Sequence, residues 1–241
     1  MHQQQIQEHV LKILEITDET PTVKSFKVGV PENIEINIYP GQFFMVSFVD
    51  YPEIKTARAY SISSSPQQKR YMEIALNKVG PFTAKMFQLK EKDLLKFKGP
   101  YGKFYFNEDL KNDLILIGGG TGITPLIGII RFCNDKKLSN KIKFIYSVKI
   151  PEEIIYRDEL DKIKKSNDNF EYAVTITRPD ENNSWHGKKG RVDSELLKQN
   201  IDDIEGSIYF LCGPKEFVDS IISILQSLGA KREQIKTDVW G

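Results

Sequence analysis

Residues 114–138 read LILIGGGTGITPLIGIIRFCNDKKL: four aliphatic residues, a glycine run, then an apolar stretch long enough for a helix. The aliphatic run has the character of a buried strand, and Thr124 and Pro125 mark the start of the helix behind it. Between them lie Gly118, Gly119, Gly120, Thr121 and Gly122. Glycine lets a backbone approach a phosphate closely, and a helix N-terminus offers free N–H groups and about half a positive charge. A dinucleotide pyrophosphate is the guest this chemistry expects, on Gly120, Thr121, Gly122, Thr124 and Pro125. The alternative is a tight strand-to-helix turn without a ligand, for which three successive glycines give up more chain entropy than a turn requires. The spacing is not G-x-G-x-x-G, because Ile123 stands where the third glycine would be, and this disfavours a plain NAD dehydrogenase.

C-terminal to this stretch, strands and helical segments alternate. LILIG leads into PLIGIIRFCNDKKL, followed by IKFIYSV, IYRDELDKIKK, EYAVTIT, SELLKQN, SIYFLC, PKEFVDSIISILQSL and IKTDVW. This is the texture of βαβ units and predicts a doubly wound, parallel, five-stranded α/β sheet. N-terminal to it the texture differs. VLKILEI, TVKSFKVGV, GQFFMVSFV, RAYSIS, YMEIALN and LLKFKGPYGKF are short, rich in β-branched and aromatic residues, and separated by Pro, Gly and Asn turns. They predict an antiparallel β-barrel interrupted by one helix, PFTAKMFQL, which opens on Pro81. The change of texture after Asn107-Glu108-Asp109 places the domain boundary there, giving residues 1–109 and 110–241.

The composition suits two soluble domains: 241 residues, 40% hydrophobic and 28% charged, with a formal net charge of +1. That charge argues against nucleic acid as a partner of the whole protein. No apolar run approaches the ~20 residues of a membrane span, and the start MHQQQIQEH has neither a basic nor an apolar leader region. The expectation is a cytoplasmic protein that does not engage a membrane. Cys133 and Cys212 are the two cysteines, too few for the four ligands of an iron–sulfur cluster within the chain. The three histidines are scattered, and no metal site is expected. Lys85, Lys90, Lys92, Lys96, Lys98 and Lys103 form a basic stretch that reads either as a solvated face or as a docking patch for an acidic partner.

A second motif, Arg58-Ala59-Tyr60-Ser61, falls on one of the barrel strands. The period of a strand puts Arg58 and Tyr60 on one face, where a guanidinium and a ring can grip a nucleotide. Gly99-Pro100-Tyr101-Gly102 joins this motif to the glycine run, and Cys212-Gly213-Pro214 follows them, between the apolar strand SIYFL and a helix. Cys212 thus stands at the carboxyl end of a parallel strand, where such sheets meet their ligands.

These signatures, in this order and across nearly the whole chain, resemble the ferredoxin–NADP reductase family of flavoproteins. The resemblance implies FAD in the N-terminal barrel, with Arg58 on the pyrophosphate, Tyr60 against the flavin and ribityl, and the Ser61 hydroxyl beside flavin N5. It also implies that Gly80-Pro81-Phe82-Thr83, a glycine followed three residues later by a hydroxyl at a helix start, binds the FAD phosphates. In that family the cysteine of C-G-P approaches the nicotinamide. The last aromatic covers the isoalloxazine, and a carboxylate stands two residues before it. Here these are Cys212, Trp240 and Asp238, with Gly241 added beyond the aromatic.

Coenzyme choice turns on the ribose 2′ position, where a phosphate needs a cation. Lys149 after IYSV, Arg178 after TIT and Arg191 in Gly190-Arg191 lean towards NADP(H), with NAD(H) still open because T-R-P also occurs in relatives that use it. Trp185-His186 reads as a loop anchor in preference to a flap over the nucleotide. The expected activity is hydride transfer between the nicotinamide and FAD, with Ser61, Cys212, Asp238 and Trp240 at the reacting rings, and single electrons exchanged with a ferredoxin, flavodoxin or other one-electron carrier. The rivals are an NAD(P)H:flavin reductase, the reductase component of an oxygenase, and a non-catalytic nucleotide-binding subunit of a redox complex.

Overall fold

The computed structural model describes residues 4–51, 53–179 and 185–240. The chain divides into two compact units, one running up to Asn107 and taking in Ile127–Lys136, the other made of Glu108–Leu126 and the chain from Lys137 onward.

The first unit is the barrel. Its strands are β1 (Gln7–Thr20), β2 (Val23–Gly29), β3 (Phe43–Phe48), β4 (Arg58–Ser61), β5 (Tyr71–Asn77) and β6 (Leu94–Tyr101), with the short helix α1 (Pro81–Met86) between β5 and β6. The sheet order is β4-β3-β6-β1-β2-β5 and every pairing is antiparallel. A single bridge, Ile62 to Ile74, joins the two edges and nearly closes the barrel. Alternation explains the interior: Leu11 and Ile13 of β1, Phe26 and Val28 of β2, Phe44 and Val46 of β3, and Leu95 and Phe97 of β6 are buried in one cluster. In β5 the alternation disappears from the burial pattern, since Glu73 and Ala75 are as buried as Met72, Ile74 and Leu76.

The second unit carries the parallel sheet. Its strands are β7 (Leu114–Gly119), β8 (Ile142–Val148), β9 (Phe170–Ile176), β10 (Lys188–Lys189), β11 (Ile208–Pro214) and β12 (Ile235–Trp240), ordered β10-β9-β8-β7-β11-β12. All five predicted strands are present. The sixth, β10, is a two-residue edge strand that pairs through Lys188–Thr175 and Lys189–Ile176; having no apolar run, it leaves no sequence signal. The helices are α2 (Ile123–Asp135), whose residues from Ile127 onward group with the barrel, α3 (Arg157–Ser166), α4 (Ser194–Asn200) and α5 (Lys215–Ser227). Ile115, Ile117, Tyr209 and Leu211 of the central strands pack against Leu196 and Leu197 of α4 and Val218, Ile221 and Leu225 of α5. The strand order turns between β7 and β11, so the crevice at their carboxyl ends is the place where such a sheet takes ligand.

Two predicted boundaries are corrected. Helix α2 starts at Ile123 behind a single 3₁₀ turn over Gly120–Gly122, so Thr124 and Pro125 lie inside its first turn and do not cap it. Proline is tolerated there because the first N–H groups of a helix have no intrahelical acceptor. Helix α3 begins at Arg157, later than IYRDELDKIKK suggests, because Tyr156 takes a left-handed conformation at φ 57°.

Candidate functional site

In the barrel, β4 pairs with β3 so that Tyr60 stands opposite Phe44 and Arg58 opposite Val46. Directly opposed residues share a face, so Arg58 and Tyr60 do lie together on the face of the buried Phe44 and Val46, while Ala59 and Ser61 turn to the other side. Phe82 of α1 brings the two flavin motifs into contact. Its ring centroid is 6.0 Å from the Arg58 guanidinium carbon and 6.2 Å from the Tyr60 ring. Phe82 is buried and packs 4.7 Å from Phe48, so its ring belongs to the core and seats the two residues above it. Arg58 remains exposed, Ser61 is half-buried, and burial pushes the Tyr60 phenol up to about 12 against the opposing pull of Arg58.

Pro81 is the first residue of α1, and the turn before it is held by Thr83. The Thr83 Oγ1 accepts from the N–H groups of Val79 (2.8 Å) and Gly80 (3.1 Å) and donates to the Gly80 carbonyl (3.1 Å). The hydroxyl is thus committed to shaping the turn. A Cβ at Gly80 would meet no atom within 4 Å, so the space above it is open. An exposed guanidinium, a half-buried ring and an open glycine turn on one aromatic support fit the phosphates and sugar of a flavin dinucleotide.

In the parallel-sheet unit, the glycine loop sorts into four different requirements. A Cβ at Gly118 would press on Leu126 at 3.1 Å, and one at Gly119 on Phe217 at 3.2 Å. At Gly122 it would lie 2.1 Å from the Cys212 carbonyl oxygen and 2.7 Å from the Trp240 ring. Gly120 alone is open, with nothing within 4 Å, and it holds a left-handed φ of +55°. Backbone packing therefore demands glycine at 122, Gly118 and Gly119 are tight against side chains, and the loop is open at Gly120. Two side chains pin the loop: Thr124 Oγ1 donates to the Thr121 carbonyl at 2.7 Å, and Tyr146 Oη to the Gly120 carbonyl at 2.9 Å. Tyr146 is fully buried, which drives its phenol far above its ordinary range. It escaped sequence reading because a tyrosine at the end of IKFIYSV looks like any core aromatic.

The parallel register sets Cys212 beside Asp238 and Pro214 beside Trp240. The Cys212 thiol is fully buried and donates to Asp238 Oδ2 at 3.8 Å. Burial, then the Asp238 charge, raises the thiol well above its ordinary value. Burial likewise raises the Asp238 carboxyl, an effect partly offset by the Cys212 thiol and the Val239 N–H. Gly213 is required by Phe217, which a Cβ there would meet at 2.7 Å. Trp240 is 38% exposed and lies over Gly122. Gly241 lies outside the described residues.

The three basic residues gather at the carboxyl edge of β8 and β9. The Arg178 N–H donates to the Lys149 carbonyl, and the Gly190 N–H, just before Arg191, to the Ile176 carbonyl. All three side chains are exposed. Trp185 donates to the Lys188 carbonyl at 3.1 Å, the geometry of a loop anchor.

Comparison with known proteins agrees with both halves. The oxidoreductase FAD-binding domain family matches residues 10–106, and the oxidoreductase NAD-binding domain family matches residues 116–222. Among curated relatives, a subunit of the Na(+)-translocating NADH-quinone reductase of Marinomonas sp. is 30% identical over 216 residues, covering 83% of this chain and 52% of the relative. Its namesake in Pseudoalteromonas atlantica is 28% identical, covering 91% and 57%. The chain spans about half the length of these relatives. Among solved structures, the flavohem-like FAD/NAD binding domain of nitric oxide dioxygenase from Vibrio cholerae superposes with a TM-score of 0.85 at 21% identity, covering 96% of this chain and 98% of that one. A ferredoxin NADP+ reductase from Neisseria gonorrhoeae with bound FAD and NADP gives 0.80 at 24% identity, with the same coverages.

Proposed function

Since the chain belongs to the ferredoxin–NADP reductase family, oxidoreductases that bind FAD and a nicotinamide dinucleotide, we propose that it passes electrons between NADPH or NADH and a one-electron carrier of the ferredoxin or flavodoxin type. The observation that carries this reading is the convergence of Arg58, Tyr60 and the Gly80 turn on Phe82. Bound flavin supplies a two-electron acceptor that can return electrons singly. The protein's part is placement. Arg58 neutralises the pyrophosphate, Tyr60 packs on the flavin and ribityl, and Ser61 offers its hydroxyl at N5. The Gly80–Thr83 turn receives the FAD phosphates, with Ala59, Pro81 and Phe82 shaping it.

On the nicotinamide side, Gly120, Thr121 and Gly122 receive the pyrophosphate, with Thr124 and Pro125 behind them. Lys149, Arg178 and Arg191 face the ribose 2′ position. Cys212, Gly213 and Pro214 border the ring, Asp238 accepts from the Cys212 thiol beside it and stands ready to relay a proton, and Trp240 shields the flavin. Residues 1–109 are assigned to FAD and residues 110–241 to the nicotinamide in the same proposal. No helix among the described residues is long and apolar enough to cross a membrane, and a cytoplasmic location accompanies this reading.

A second reading is favoured by the names of the curated relatives, which are components of an NADH-quinone reductase. On that reading the chain is the NADH-oxidising portion of a larger redox assembly. The test is anaerobic stopped-flow reduction by NADPH and by NADH, followed by mixing with ferredoxin, flavodoxin, free FMN or a soluble quinone. Fast reoxidation by a protein carrier after reduction by either nucleotide supports the first reading, preference for NADH with slow transfer to both carriers supports the second, and fast turnover with free FMN alone makes the chain a flavin reductase.

A further inference from the structure

Glu73 points out of the barrel between Met72 and Ile74, yet it is 3% exposed. What covers it is the segment Ile127–Lys136, which belongs to the same compact unit. Arg131 Nη1 donates to Glu73 Oε1 at 2.6 Å and to the Ser63 carbonyl at 2.9 Å. The Ser63 hydroxyl donates to the same Glu73 oxygen at 2.7 Å. The backbones are tied as well, Ser63 N–H to the Glu73 carbonyl at 2.8 Å and Glu73 N–H to Ser64 Oγ at 3.0 Å. One turn before Arg131, a Cβ on Gly128 would stand 2.7 Å from the Ile62 carbonyl, so the α2 backbone rests directly on this stretch.

We propose that Glu73 and Arg131 are positioning residues for flavin, acting through Ile62–Ser64, the segment that continues directly from Ser61. A buried ion pair adds little stability over an apolar pair of the same volume, so cohesion of the unit does not account for it. What a carboxylate receiving two donors adds is direction: it fixes where the chain runs as it leaves Ser61, and with it the Ser61 hydroxyl and the Tyr60 ring. The proposal rests on the flavin reading above.

The test uses the double variant Glu73→Gln/Arg131→Met, which removes both charges, because removing one alone leaves the other buried without that opposite charge. The expected result is a folded protein that takes up FAD stoichiometrically but shows altered visible circular dichroism of the bound flavin. Its bleaching at saturating NADH or NADPH should slow by at least about tenfold, with KM little changed, as a small misplacement of reacting atoms does. Arg131→Lys, which keeps the charge but not the planar guanidinium, should fall between. Wild-type dichroism and rate in the double variant would overturn the proposal, and so would its failure to fold, which would make the pair a stability element. A wild-type chain that takes up no FAD would sink the flavin reading itself, a result distinguishable before any variant is made.

Discussion

Gly122 and Gly120 stand two residues apart in one loop and are required for opposite reasons, which makes them separable by substitution. Alanine at Gly122 would place its Cβ 2.1 Å from the Cys212 carbonyl oxygen and 2.6 Å from its carbon, where real contacts essentially never fall below 3.0 Å. The obstacle is the backbone of β11, which cannot rotate aside, so the loop or the strand has to move. Overpacking of this kind costs about 1–3 kcal/mol or more. For a chain of this size that is a fall of about 2–12 °C in Tm, at about 2–4 °C per kcal/mol. Alanine at Gly120 meets nothing within 4 Å and is penalised for its φ of +55°, by about 1–2 kcal/mol. Asparagine tells the two apart, since it enters the left-handed region readily but is larger than alanine. Gly120→Asn should recover much of the stability lost in Gly120→Ala, whereas Gly122→Asn should be worse than Gly122→Ala. Thermal unfolding of the four variants measures this. Wild-type stability in Gly122→Ala would refute the close approach of the loop to Cys212.

Arg58→Ala should leave a folded chain that loses FAD on gel filtration, checked by the ratio of flavin to protein absorbance; full retention would remove Arg58 from the pyrophosphate. Thr83→Val removes the acceptor for two N–H groups and should lower stability by about 1–2 kcal/mol by denaturant titration, as loss of a helix cap does. Asp238 has a carboxyl raised above 3.8, so its contribution to stability is full below that value and is lost as pH rises through the folded value. Asp238→Asn should therefore raise Tm at neutral pH, with the gain fading as pH falls through the raised folded value and gone below the ordinary aspartate value. The raised, buried Cys212 thiol should resist iodoacetamide in the folded chain at neutral pH and react once the chain is unfolded, followed by mass spectrometry.

The strands of both units were legible because alternation along β1–β3, the aliphatic run of β7 and the apolar-rich stretches of β8 and β11 reflect burial on one face or on two. The motif residues were legible as chemistry, but their geometry was not. Four glycines in a row of five look alike in sequence, and only packing shows that Gly122 lies hard against the β11 backbone while Gly120 is open. Thr124 has the residue type of a helix cap, yet the 3₁₀ turn before it moves the helix start, and its hydroxyl instead secures Thr121. Tyr146 and the Glu73–Arg131 pair were invisible for a different reason. Their partners lie 26 and 58 residues away, and no local pattern reports a contact made by the tertiary fold.

The most direct measurement is the visible spectrum of the purified, FAD-loaded chain under anaerobic titration with NADPH and with NADH. The account predicts that one equivalent of at least one of these nucleotides bleaches the flavin, and that the same chain carrying Arg58→Ala retains no flavin to bleach. A flavin that stays oxidised with both nucleotides, or a chain that takes up no FAD, would contradict it.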